Sequence, residues 1–188
     1  GASLALALAN TALRVALIEA VPAAAAGQPS FDDRTTALGN GSRRIFETLG
    51  VWRQLAVHAG PVREIRGSEA GRCGAARWCA AEQGLEALGY VVSNRHIGAA
   101  LWHELEQRPQ LLLRRPARVL EVRLEPGHAL LSVRGAADGS PAEQIAARVI
   151  VAADGAQSLV RAAAGIAAMV EDYRQVAVVV HVVTDRPA

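Results

Sequence analysis

A chain of 188 residues with 51% hydrophobic content and a formal net charge of +2 can bury a core as one large domain or two small ones. It lacks the charge imbalance of a disordered or strongly basic protein. All 20 basic residues are arginines, and no arginine stripe with interleaved aromatics appears, so nucleic acid is excluded as an expected partner.

The first residues, 1–11, are rich in Ala and Leu and read as a closely packed helix. Residues 14–20 form a short β-rich run that ends in an acid, Glu19. Residues 21–30, with two prolines and one glycine, read as a loop. Ser42 is expected to cap a helix with Ile45, Phe46 and Leu49 on one face and Gly50 as its stop. Residues 62–77 and 89–93 read as short strands around glycine-rich turns. Asn94 is expected to cap a helix from about residue 95 to 107, with Ile97, Leu101 and Leu105 turned inward. Residues 111–113, 117–124, 129–134 and 144–151 look like successive strands, with Pro126-Gly127 and Asp138-Gly139 as turns. Residues 175–183 form a final β-rich run.

Within this order, residues 147–161 carry the strongest local signal. The apolar run 149–153 reads as a buried strand, Asp154-Gly155 as its turn, and residues 158–164 as a helix start. A strand that turns sharply into a helix is where an α/β protein brings backbone N–H groups to a ligand. Gly1 and Glu19 stand eighteen residues apart, close to the ~20 that separate a phosphate-turn glycine from a ribose-binding acid in a dinucleotide-binding βαβ unit. Taken alone, either signal also fits ordinary strand–turn–helix packing.

The remaining chemistry-bearing residues point elsewhere less clearly. Cys73 and Cys79 lack metal-ligand spacing and read as a reduced pair. The five histidines form no HExxH or Cys/His cluster, so no metal site is expected. Val and Ala runs are too short or interrupted for a membrane span, and no secretory leader is seen. The expected location is cytoplasmic, with contact at a membrane surface left open. The chain starts at Gly1 without a methionine, and an upstream start is expected.

Four segments together resemble the flavin hydroxylases of the para-hydroxybenzoate hydroxylase class, most closely its ubiquinone-biosynthesis members. Residues 1–9 with Ala-Leu-Ile-Glu-Ala20 resemble the FAD-binding helix and ribose strand. Phe31-Asp-Asp-Arg-Thr-Thr-Ala-Leu, with Ser42 and Leu-Gly-Val-Trp52, is similar to the family's D-x-R-x-x-A-L…L-G-x-W segment. Residues 149–161 look like its DG motif. Residues 90–97 with Ala-Leu-Trp102 resemble the strand and helix that run beside the flavin. The first flavin strand, two glycines and the later GD motif are not seen, so the resemblance describes an N-terminal piece.

The resemblance implies an α/β fold: a Rossmann-like FAD-binding three-layer domain, truncated, with part of a β-sheet substrate domain. Its divisions would be residues 1–70 for FAD binding, 71–93 for the start of the substrate sheet, 94–168 for the return to the FAD-binding domain and 169–188 for the next substrate-domain strand. The implied cofactor is FAD, with NAD(P)H and O₂ as co-substrates and an aromatic, possibly prenylated, small molecule as substrate. Peripheral membrane or ubiquinone-complex association comes with the same resemblance. No catalytic side chain is expected, because the chemistry belongs to the cofactor.

The implied cofactor-binding residues are Gly1, Glu19, Arg34, Arg95, Asp154, Gly155 and Arg161. Rival readings stand beside them. Glu19 fits an exposed strand-end acid, and Arg34 a solvated loop residue. Arg95 fits an ion pair with Glu104. Asp154 fits a turn residue, and Arg161 a brace paired with Asp154. Trp52, Trp78 and Trp102 fit core positions. By itself the chain is expected to be inactive and to hold no stoichiometric FAD on purification. Two other functions remain in view, a hydroxylase of small soluble phenols and a non-catalytic nucleotide-binding piece.

Overall fold

The computed structural model of the chain describes residues 1–22, 34–71, 73–135, 137, 140–178 and 180. Its first element is helix α1 (Ala2–Leu8), which stops three residues earlier than the composition suggests. The stop is local: the Thr11 hydroxyl donates to the Leu8 carbonyl at 2.7 Å and accepts from the Leu13 N–H at 3.3 Å. Strand β1 (Ala16–Ile18) follows.

Strand β2 (Thr35–Gly39) leads directly into α2 (Asn40–Thr48). Gly39, not Ser42, is the N-cap, and Ser42 lies inside the first turn. The helix starts early because the Asn40 amide is drawn to the Ala87 carbonyl at 2.8 Å. On the expected inner face Phe46 is buried, but Ile45 is 58% exposed. Gly50 ends this unit at φ +83°, a left-handed conformation that glycine adopts without steric cost.

Helix α3 (Trp52–Leu55) and a 3-10 turn precede β3 (Gly60–Val62), β4 (Glu64–Ser68) and β5 (Ala75–Cys79). Next come β6 (Gly89–Ser93), α4 (Asn94–Glu106) and β7 (Leu112–Arg114). Ser93 is the N-cap of α4, and Asn94 is its first residue. The remaining elements are β8 (Ala117–Glu125), β9 (His128–Gly135), β10 (Glu143–Ala147) and α5 (Leu159–Ala163).

Among the described residues the strands form four sheets. β1 and β7 pair in parallel, with Ala16 opposite Leu112 and Ile18 opposite Arg114. β2, β6 and β3 make an antiparallel sheet with β6 central. β4 and β5 form a hairpin whose Trp78 is 52% exposed, unlike the expected core position. β8, β9 and β10 form a meander turned at Gly127, φ +81°.

Two apolar cores hold these layers. The larger one joins Ala5 and Leu6 of α1, Phe46 of α2, Val51, Leu55, Val92 of β6, and Leu101, Trp102 and Leu105 of α4. The smaller one joins Ala117, Val122, Leu131 and Val133 of the meander, with Ile18, Ile150 and Val160 against it. Gln110 ties the α4–β7 connection to α1 by donating to the Ala9 carbonyl at 3.0 Å.

The run 149–153 is not a buried strand. β10 ends at Ala147, and Val149 and Val151 are 78% and 57% exposed. The described residues supply no ladder partner for it, and an apolar run without one has nothing to bond its backbone in extended form. Residues 175–178 and 180 are likewise without regular structure. The loop 23–30, the Phe31–Asp33 part of the D-x-R segment, the Asp138-Gly139 turn and residues 181–183 of the last run lie outside the described residues. Among the described residues no helix is long and apolar enough to cross a membrane.

Candidate functional site

Glu19 stands one residue past β1, where the strand is still held in register. Its N–H donates to the Arg114 carbonyl at 3.0 Å, and its carbonyl accepts from the Ala117 N–H at 2.8 Å. Its carboxylate turns back on the corner, where Oε1 accepts from the Val21 N–H at 2.9 Å. A cleft of about 420 Å³ lies between the β7–β8 connection and the meander, lined among others by Arg114, Arg115, Pro116, Ala117 and Val133 but not by Glu19.

Gly1 marks where three segments meet. A β-carbon built on it would lie 3.5 Å from Leu17 Cδ1 of β1 and 3.5 Å from Ala153 Cβ. A methyl group there would touch both and overlap neither, so packing alone does not demand glycine. The segments carrying Gly1, Glu19 and Asp154 are thus brought together, two residues from Glu19 on one side and one residue from Asp154 on the other.

Asp154 itself is committed to its own helix. Its Oδ2 accepts from the Leu159 N–H at 2.8 Å and the Val160 N–H at 3.3 Å. Partial burial pushes its carboxyl up, but hydrogen bonds from Ser158 and the backbone N–H groups outweigh this and hold it below its ordinary range. Gly155 takes φ +84°. Arg161 braces the corner, though not through Asp154: its guanidinium donates to the Ala156 carbonyl at 2.7 Å, and its N–H to Ser158 Oγ at 3.0 Å.

Arg34 and Arg95 form a second group. The Arg34 carbonyl accepts from the Asn94 N–H at 2.8 Å. The Asn94 side-chain oxygen accepts from the Thr36 hydroxyl at 2.6 Å. These bonds bind the entrance of β2 to the first turn of α4, so both arginines leave the same seam. Beyond Arg95, His96 Nδ1 lies 2.8 Å from Ser93 Oγ, and its ring stacks on His58 at 3.7 Å. Glu104, the acid offered as a partner for Arg95, is buried further along α4, where it accepts from Gln54 at 3.3 Å and Arg108 at 3.4 Å.

The donor set suits a dinucleotide: a carboxylate that can accept from a ribose diol, and two guanidinium groups that can meet phosphate. Arg115 and Trp102 were not among the expected site residues, yet the Arg115 guanidinium lies 3.9 Å from the centre of the Trp102 ring, beside Glu19. No local sequence signal marks this contact, whose two residues stand thirteen positions apart.

The architecture recurs in solved monooxygenase structures. It aligns with p-nitrophenol 4-monooxygenase PnpA from Pseudomonas putida DLL-E4 at TM-score 0.69 and 19% identity, over 87% of this chain and 40% of that one. It aligns equally with the flavin-dependent monooxygenase PieE, solved with FAD and substrate, at TM-score 0.69 and 17% identity, over 88% and 30%. At such identities the likeness establishes the fold.

The sequence narrows the assignment. The FAD binding domain family matches residues 1–188, and the chain belongs to that family, with FAD as its cofactor. The ubiquinone hydroxylase UbiL of Rhodospirillum rubrum is 33% identical over 99% of this chain and 42% of its own length. The 3-demethoxyubiquinol 3-hydroxylase of Escherichia coli K12 is 33% identical over 93% and 44%. The chain therefore spans less than half the length of these relatives.

Proposed function

We propose that this chain is the FAD-holding part of a monooxygenase that hydroxylates an electron-rich aromatic ring, a prenylated phenol of ubiquinone biosynthesis. The observation that carries the reading is the meeting at Gly1 of the strand leading to Glu19 and the segment leading to Asp154, in a chain matched along its whole length by an FAD-binding family. The named ubiquinone hydroxylases at 33% identity favour the prenylated phenol over a small soluble one.

In this reading the overall reaction takes the phenol, O₂, NAD(P)H and a proton to the ring carrying one more hydroxyl, water and NAD(P)⁺. Bound FAD supplies the electron transfer and oxygen activation. The chain's own residues bind and orient. Glu19 accepts from the adenosine ribose, and Gly1 lies beside the pyrophosphate. Arg34 and Arg95 offer guanidinium donors to the phosphate and ribityl portion. Asp154, Gly155 and Arg161 form a self-braced corner that borders both FAD and the incoming NAD(P)H. Residues 1–70 and 94–168 would make the cofactor side, with 71–93 and 169–188 entering the substrate sheet. Docking at a membrane surface, where a prenylated substrate resides, belongs to the same proposal.

The test is a titration of the purified chain with FAD, followed by flavin fluorescence. Weak saturable binding is expected, too loose for flavin to be retained through purification, and weakened about tenfold in Glu19→Gln, since a hydrogen bond to a charged group contributes about 1.5–3 kcal/mol. Absence of saturable binding, or equal affinity in the variant, would remove the reading.

A further inference from the structure

The Glu19 carboxylate lies on the corner where the chain leaves β1, and something must keep that corner still. Its Oε1 accepts from the Val21 N–H. On the other side of the same residue, the Val21 carbonyl accepts from Arg115 Nε at 3.1 Å. The two contacts bracket Val21, so the orientation of the carboxylate depends on where Arg115 stands.

Arg115 is itself well anchored. Its guanidinium carbon lies 3.9 Å from the centre of the Trp102 ring, and that ring is only 9% exposed within the larger core. A guanidinium stacked on an indole face keeps its plane and its donors in one orientation. The backbone on either side of Arg115 is bonded to Glu19 through the Arg114 carbonyl and the Ala117 N–H. Burial pushes its guanidinium below the ordinary value, with Glu19 and Glu106 opposing this only in part, and arginine stays ionised in proteins. Arg115 also contributes to the lining of a cleft of about 420 Å³ between β7 and the meander, which Glu19 does not line.

We infer that Arg115 is a positioning residue for the adenosine end of the cofactor, acting through Val21 to aim the Glu19 carboxylate. The inference rests on the reading of Glu19 as the ribose acceptor. It assigns to a residue on the β7–β8 corner a part in recognising an adenosine diphosphate group, as distinct from the flavin ring. The competing account makes Arg115 a brace that holds Trp102 and the corner together without influence on ligand choice.

Two half-ligands separate these accounts. ADP carries only the adenosine half of FAD, and FMN only the flavin half. The purified chain and its variants Arg115→Met, Arg115→Lys, Glu19→Gln and the Arg115→Met/Glu19→Gln double variant are titrated with FAD, ADP and FMN, and thermal midpoints report folding. Methionine keeps apolar packing on Trp102 while removing the donor to Val21. The expected result is that Arg115→Met weakens FAD and ADP by a similar factor, about tenfold, and leaves FMN unchanged. Lysine, which cannot reproduce the planar stack, should recover part of the loss. The double variant should bind ADP no more weakly than Glu19→Gln, because both changes remove the same interaction.

Equal loss of ADP and FMN affinity would mark a general disturbance and overturn the inference. So would additive losses in the double variant. Binding of ADP that responds to Glu19→Gln but not to either Arg115 variant would overturn the inference while leaving the reading of Glu19 intact. A chain that binds neither FAD nor ADP would overturn both.

Discussion

The two corners that present acids, at Glu19 and at Asp154, are held in opposite ways. The Glu19 corner is fixed by distant chain: Arg114, Arg115 and Ala117, nearly a hundred residues on in sequence. The Asp154 corner is fixed by its neighbours, through bonds to Leu159 and Val160 and from Arg161 to Ala156. One acid depends on the packed core behind β1, β7 and α4; the other rests on a local cap at the edge of an exposed stretch. The contrast teaches that an acid at a chain corner can be a tertiary or a local feature, and that the two should respond differently to damage.

The largest effect should come from the core behind the first corner. Leu105 is 0% exposed, and its removal as Leu105→Ala should cost about 2–5 kcal/mol. Chemical denaturation should show this loss, and amide exchange should rise at Glu19 together with the rest of the α1–α4–β7 layer. Protection retained at Glu19 in a globally weakened chain would break the comparison.

Next comes Gly89, the close approach in the sheet whose strand β2 begins just after Arg34. A β-carbon there would stand 2.7 Å from the Leu38 carbonyl oxygen, a contact with backbone that no side-chain rotation relieves. Gly89→Ala should cost about 1–3 kcal/mol and loosen the Arg34–Asn94 bond. The checks are the denaturation midpoint and the exchange rate of the Asn94 amide.

How much of this was legible beforehand follows the same division. The α4 helix, the stop at Gly50 and the turn at Gly127 were readable, because periodicity and glycine conformations are local. So was the class of the fold, through motifs that bring their own context. The error at residues 149–153 has a physical cause: an apolar run states its preference for burial, but only a paired neighbour makes it a strand. Arg115 was missed for a related reason. Its importance comes from Trp102 and Val21, thirteen and ninety-four positions away, and no spacing rule connects them. At the start of α2, a contact from Asn40 to Ala87 overrode the better local cap at Ser42.

The second corner should fail alone. Asp154→Ala removes the acceptor for two N–H groups at the start of α5 and should cost about 0.5–2 kcal/mol of local stability, seen as faster exchange at Leu159 and Val160 with little change at Glu19. Acid should do the same to the unaltered chain. Asp154's carboxyl titrates below its ordinary value in the folded state, so the unfolded state binds more protons on acidification. The stabilisation is complete above the ordinary carboxyl value and is lost as pH falls through the lower, folded one. A carbon-detected titration of Asp154 that shows an upward-shifted midpoint would reverse this account.

The smallest effect is expected just before that corner. Val149 and Val151 are 78% and 57% exposed, and the described residues offer them no ladder. Replacing both with threonine keeps the β-branched shape and adds a hydroxyl that exposed positions accommodate in water. The change in denaturation free energy should stay within about 0.5 kcal/mol, because neither side chain leaves an apolar environment. A loss above about 1 kcal/mol would mean that the run is buried in solution. Asp154 would then sit at the end of a tertiary strand, as Glu19 does, and the two corners would be held alike.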